Sequence, residues 1–278
     1  MGYTTWGMPQ VPIDDALRHL AGLGFDGVEI AVVPGFSTEL DTLDPAERRR
    51  IRRLLDGHGL ELTAVGGHAS LLSLEADAHA ESWRRLTGAV DLCVDWAGPQ
   101  GPPVLDSVLG STPETWNGGE GFVLERLGEI VDYCESRGVV LALEPHIGDG
   151  LCEQPEKIVE LLRQVDSPYL RLNFDISHFE VSGIPTGRSV KLLAPWAAHT
   201  HVKDQRGRVP DFEFLIPGEG PFDYCGYLRR MAAAGYAGCV TAEVSMAVHR
   251  RPGYDPMEAA ALCHRTLQRA FQETGLHG

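Results

Sequence analysis

Eight short apolar runs alternate with amphipathic helical stretches along this 278-residue chain, at roughly 30–35 residues per unit. Apolar strands separated by helices mean a parallel sheet with helices covering it. The strand-like runs fall at residues 2–5, 28–32, 60–65, 104–108, 139–144, 170–175, 197–202 and 239–243. Helical patterns fall at 13–23, 45–57, 76–92, 122–137, 155–165, 189–193, 222–234 and 256–274. Residues 115–120 read as a loop, and 203–221 as a long polar loop. No linker or low-complexity segment divides the units, so one domain over residues 1–278 is expected. Eight units in about 250 residues fit a closed (β/α)8 TIM barrel better than an open sheet. An open doubly wound fold would usually show a glycine-rich phosphate turn after its first strand. Here the chain reads Gly7-Met8-Pro9-Gln10 instead. Apolar residues make up 43% of the sequence, ample for such a core.

The same composition removes several functions. A net charge of -15 opposes binding to a nucleic-acid backbone. No apolar run approaches the roughly 18 residues of a membrane span. The first residues lack the basic segment and apolar core of a signal peptide, so a cytoplasmic protein is expected. None of the six cysteines lies two or three residues from another, which rules out zinc-knuckle spacing. Reduced thiols are expected, several of them acting as small apolar groups.

Chemistry concentrates at the ends of the last four strand runs. Glu144, Asp175, His201 and Glu243 each end a run or stand one residue before its end. On a barrel, the C-terminal strand ends form the active face, and consecutive strands share one arc of it. Two Glu, one Asp and one His make a mixed oxygen and nitrogen donor set. It suits one divalent ion: manganese, magnesium, cobalt or zinc. His68, His146 and His178 fall on the same rim, and Glu29 lies in the second strand. His199 lies two before His201, on the same strand face and one layer deeper, where a buried supporting role is expected. Lys203 and Asp204 open the loop that follows. Trp6, Trp116 and Phe212 are candidates for an aromatic platform under an aglycone or second sugar.

These motifs resemble the xylose isomerase-like barrels, in the branch of sugar phosphate isomerases and epimerases that holds ketose 3-epimerases and inosose isomerases. The carrying stretches are Leu143-Glu144-Pro145-His146, Asn173-Phe174-Asp175-Ile176-Ser177-His178 and His201-Val202-Lys203-Asp204. Gly218-Glu219-Gly220 and Ala242-Glu243 complete the pattern, which spans essentially the whole chain. The resemblance implies that Glu144, Asp175, His201 and Glu243 bind one divalent ion, often manganese. It implies that Glu144 and Glu243 are also the acid/base pair, and that His178 holds a substrate oxygen. His68, His146, Trp116 and Arg206 are further candidates for substrate contact. The expected activity is isomerisation or epimerisation of a small keto-sugar or polyol ketone. A proton next to a ketone is too weakly acidic to leave unaided. A Lewis acid stabilises the enediolate while a carboxylate takes the proton. Relatives are commonly dimers or tetramers, which makes a homo-oligomer compatible without fixing its size.

Two positions depart from the ketose 3-epimerases. They carry an acid about six residues after the first ligand, where this chain has Gly150, with Asp149 and Glu153 near. They carry Arg about six after the histidine ligand, where this chain has Gly207, between Arg206 and Arg208. Inositol-ketone isomerases and looser keto-sugar enzymes therefore stay open. So does a lyase or dehydratase acting on a 3-keto-glycoside or keto-inositol through the same ion. An apurinic endonuclease-like hydrolase would use a larger metal cluster. Here the fourth strand region, residues 94–107, has no His, and Asp211-Phe212-Glu213 stands where Asp-x-His is wanted.

Overall fold

A computed structural model of the chain describes residues 1–110 and 119–276. Seven of the barrel strands are β1 (Gly2–Thr4), β2 (Gly27–Ala31), β3 (Glu61–Gly66), β4 (Val104–Ser107), β5 (Leu141–Leu143), β6 (Leu170–Asp175) and β7 (Ala197–Val202). A hairpin of β8 (Asp204–Arg208) and β9 (Asp211–Leu215) follows, and β10 (Thr241–Ala242) is the eighth barrel strand. The ring runs β1 to β7 in order and closes through β10 onto β1. Every neighbouring pair in it is parallel. The expected (β/α)8 TIM barrel is therefore the fold.

Among the described residues the α-helices are α1 (Ile13–Leu23), α2 (Pro45–His58), α3 (Ala76–Asp95), α4 (Glu120–Arg137), α5 (Pro155–Val165), α6 (Ile176–Val181), α7 (Thr186–Leu193), α8 (Tyr224–Ala233), α9 (Met246–His249) and α10 (Pro256–Thr274). Their limits follow local chemistry. Asp44 caps α2 by accepting from Ala46 N and Glu47 N, with Pro45 at the first helical position. Gly59 ends it in the left-handed region, which glycine enters without strain.

Strand alternation sorts side chains between the two faces of the barrel wall. On β6, Phe174 faces outward and packs against Phe179 of α6 and Tyr227 of α8, at 5.6 and 6.5 Å between ring centroids. Asn173 and Asp175 face inward. The upper interior is polar where such barrels usually carry branched aliphatics. Thr4, Glu29, Asp106, Asn173, His199 and His201 are all buried there. Buried polar groups need partners: Thr4 of β1 donates to Glu29 of the neighbouring β2, Glu29 bonds across the barrel to His199 and His201 of β7, and Asp106 of β4 bonds across to Asn173 of β6.

Three features differ from the sequence reading. The stretch 203–221 is not all loop, because β8 and β9 pair antiparallel from Asp204↔Leu215 to Arg208↔Asp211. An exposed two-stranded ribbon buries little, so it lacks an apolar run to announce it. Strands β5 and β10 are shorter than expected, which leaves Glu144 and Glu243 just past their ends. Backbone bonds still hold both in register, from Glu144 N to Ser107 O (2.8 Å) and from Glu243 N to Val202 O (3.0 Å). Two short helices, α6 and α9, begin directly beyond β6 and shortly after β10.

Candidate active site

A cavity of about 260 Å3 opens at the C-terminal end of the strands. Its lining includes Trp6, Glu29, His68, Glu144, His146, His178, His201, Lys203, Phe214 and Glu243. Glu144, Asp175, His201 and Glu243 come together at its floor, each offering a ligand atom within 4.8 Å of the others. His201 Nδ1 lies 3.1 Å from Glu144 Oε1 and 3.1 Å from Glu243 Oε2. Three carboxylates and one imidazole nitrogen, all buried and convergent, fit one divalent ion.

Lys203 shares this floor. Its ammonium is buried, 2.5 Å from Asp175 Oδ2 and 2.7 Å from Glu243 Oε2, above the Phe214 ring. A carboxylate oxygen has more than one lone pair, so the ammonium and an ion can share these two acids. Asp175 also caps α6, its Oδ1 accepting from Ser177 N and Ser177 Oγ.

Electrostatics divides the carboxylates. Burial alone would push the Glu144 carboxyl up, but His146 and His201 hold it well below its usual range. Burial opposes Lys203 and His201 at Glu243 in the same way, and the two cations bring it down to about 2. Asp175 goes up, because burial and the charges of Glu243 and Glu144 outweigh Lys203. Burial would lower His201, yet Glu29, Glu144 and Glu243 raise it well above the ordinary histidine range. For His178, burial and the neighbouring His146 and Lys203 all press downward, so its ring is held neutral.

The rim histidines take distinct positions. His178 Nδ1 accepts from Ile147 N, and its buried Nε2 has no hydrogen-bond partner among the described residues. His146 stacks on it at 4.4 Å between centroids and bonds Glu144 Oε2 at 2.8 Å. His68 pairs with Asp106 at 2.8 Å and tilts against Trp6, which itself stacks on Phe36. Trp116 lies outside the described residues. Arg206 is not among the described residues that line the cavity. It is exposed on the hairpin, pairs with Glu213 at 2.9 Å and borders a neighbouring cleft. Phe214, rather than Phe212, is the hairpin aromatic that reaches the cavity, with Phe212 edge-on behind it.

Both departures from the ketose 3-epimerase pattern have a backbone cause. Gly207 has φ +78°, and a Cβ there would run into the Asp211 carbonyl across the hairpin. No arginine fits that position, and neither neighbour restores one to the cavity. Gly150 also has positive φ. Its neighbour Asp149 turns back to accept from His146 N and Leu151 N.

Sequence reasoning missed Asp106 and left Glu29 open. Asp106 Oδ1 accepts from Asn173 Nδ2, which also lies 3.0 Å from His201 Nδ1. Glu29 Oε2 lies 2.7 Å from His201 Nε2 and 2.8 Å from His199 Nε2. Their signal was present but faint: a single acid inside an otherwise apolar barrel strand. Asp204, the acid beside Lys203, proves structural. It accepts from Gly218 N, Phe222 N and Tyr224 OH and so anchors the loop beyond the hairpin.

Comparison with known proteins bears on the fold and the family. A family model described as the xylose isomerase-like TIM barrel matches residues 17–266. Inosose dehydratase of Geobacillus thermodenitrificans is 22% identical over 273 residues, covering 87% of each chain. Fructoselysine 3-epimerase of Shigella flexneri is 26% identical over 254 residues, covering 87% of this chain and 89% of its own. Among solved structures, the IOLI protein with a binding zinc atom superposes with a TM-score of 0.78 at 18% identity. That match covers 98% of each chain.

Proposed function

The chain belongs to the xylose isomerase-like TIM barrel family, and from that premise we propose that it is a divalent-metal-dependent isomerase or epimerase of a small keto-sugar or polyol ketone. The observation that carries the reading is the placement of Glu144 and Glu243, each 3.1 Å from the same His201 nitrogen at the open end of the barrel. An ion held by Glu144, Asp175, His201 and Glu243 would supply Lewis acidity to a ketone and its neighbouring hydroxyl. Manganese is our assignment among the ions this donor set suits.

Glu144 and Glu243 are the proton carriers. One removes the proton next to the ketone, and the same or the opposite carboxylate returns it. Return to the other face gives an epimer, and return to the adjacent carbon an aldose-ketose shift. Both carboxyls are held below their usual range, so both are ionised bases near neutral pH. His178 Nε2 orients a substrate oxygen, its ring being buried and neutral and this nitrogen lying 3.5 Å from Asp175 Oδ2 without a hydrogen bond among the described residues. His146, His68 and Trp6 line the approach. Six free cysteines accord with a cytoplasmic setting.

A dehydratase is the second reading, favoured by the similarity to inosose dehydratase along most of the chain. It needs the same proton removal, followed by loss of a β-hydroxyl. Incubation with free ketoses, keto-inositols and 3-keto-glucosides, followed by NMR and mass spectrometry, separates the two. Isomers of unchanged mass support the isomerase, and products lacking water or an aglycone support the alternative. Full turnover by thoroughly metal-free protein would overturn both.

A further inference from the structure

We infer that Glu29 is the positioning residue that makes His201 a ligand, holding its Nε2 proton from behind so that Nδ1 faces the ion. The inference rests on the metal-site reading above. Glu29 comes from β2 and His201 from β7, so the contact crosses the barrel interior. Both side chains are 2% exposed. Glu29 Oε2 accepts from His201 Nε2 at 2.7 Å and from His199 Nε2 at 2.8 Å, while Oε1 accepts from Thr4 Oγ1 at 2.8 Å.

Three donors on two strands leave this carboxylate little freedom to rotate. The His201 ring is equally constrained. Its other nitrogen, Nδ1, faces Glu144 and Glu243 at 3.1 Å each and the Asn173 amide nitrogen at 3.0 Å, whose N–H also calls for a lone pair there. A neutral imidazole has one N–H and one lone pair. With the proton on Nε2, the N–H meets Glu29 and the lone pair meets the ion. With the proton on Nδ1, an N–H would point at the ion and a lone pair at a carboxylate, and both contacts would repel. Glu29 therefore selects the first tautomer and fixes the ring plane. A carboxylate on the far N–H also makes the ligating nitrogen more basic.

His199 has a part in the same device. By donating to the same oxygen, it keeps Oε2 behind His201 and out of the ligand quartet. Glu29, His199 and His201 also lie close enough together to hold an ion themselves. An ion there would have to displace two short hydrogen bonds, so the triad is read as a support for the quartet.

The test uses the full chain loaded with zinc, with histidine labelled by 15N. In the wild-type protein, His201 should show a metal-bound Nδ1 and a protonated Nε2, with one ion per chain. Zinc affinity, read by competition with a chelator, should fall about tenfold in Glu29→Gln and about a hundredfold in Glu29→Leu. Circular dichroism and thermal unfolding report whether each variant stays folded. The wild-type spectrum and the isosteric Gln variant keep the test open if the Leu variant does not. A metal-bound Nε2 in the wild type, or unchanged affinity in both folded variants, would overturn the inference while leaving the metal site standing. Failure of the wild-type chain to bind one zinc ion would overturn the site reading itself.

Discussion

The two halves of the barrel meet at the site in different ways. The second half brings one ligand-type side chain per strand to its end: Glu144 after β5, Asp175 on β6, His201 on β7 and Glu243 after β10. The first half brings Thr4, Glu29, His68 and Asp106. Here Glu29 and Asp106 turn toward polar groups of the other half. Chemistry sits on one arc, and much of what orients it sits on the opposite arc. Neither arrangement suffices alone, because buried charges in a low-dielectric interior are costly unless each has its partner.

Substitutions can break or sharpen this contrast. The largest effects belong to the second half. Glu144→Gln and Glu243→Gln should each lower turnover by about 10²–10⁴-fold without unfolding the chain. Near-normal rates in both would remove them as proton carriers. Chelation should follow closely: EDTA should abolish turnover and manganese should restore it, as measured by activity against added metal.

First-half changes should be milder. Asp106→Asn removes the charge facing His68 but keeps an acceptor for Asn173. It should reduce turnover by about tenfold, within the range for groups that orient ligands. A loss as deep as that of Glu144→Gln would erase the division between the halves.

Asp149 supplies a control outside both arcs. Burial raises its carboxyl to about 6, against two backbone N–H groups that lower it. The folded chain thus holds this proton more tightly than the unfolded chain, whose Asp titrates near 3.9. Its stabilising contribution is full below about pH 4 and is lost as pH rises through about 6. The difference between the folded and unfolded chain corresponds to about 3 kcal/mol. Asp149→Asn should flatten that part of the pH dependence of urea unfolding. Smallest of all, Arg206→Ala should leave turnover within about twofold, because an exposed ion pair contributes little.

The contrast also explains what the sequence made legible. Strand ends of the second half carry dense motifs, such as His201-Val202-Lys203-Asp204, in which several chemical side chains stand together. The start of α2 was readable at Pro45, while its end falls at His58, one residue past the expected limit and just before the Gly59 cap. Glu29 and Asp106 were harder, because each is one acid inside an apolar strand. Only ring closure shows which far strand it meets. Lys203 looked like a loop residue until the hairpin folded over it and placed Phe214 beneath its ammonium. Gly207 read as a missing arginine, and the turn geometry shows instead that a side chain has no room there.

The central claim is that Glu144 and Glu243 move a proton next to a ketone at a metal site. Its most direct measurement is NMR of free ketoses and keto-inositols incubated in D2O with the manganese-loaded protein. The account predicts deuterium at the carbon beside the carbonyl, lost on chelation and in Glu243→Gln. Absence of exchange across the whole panel, or undiminished exchange in metal-free protein, would contradict it.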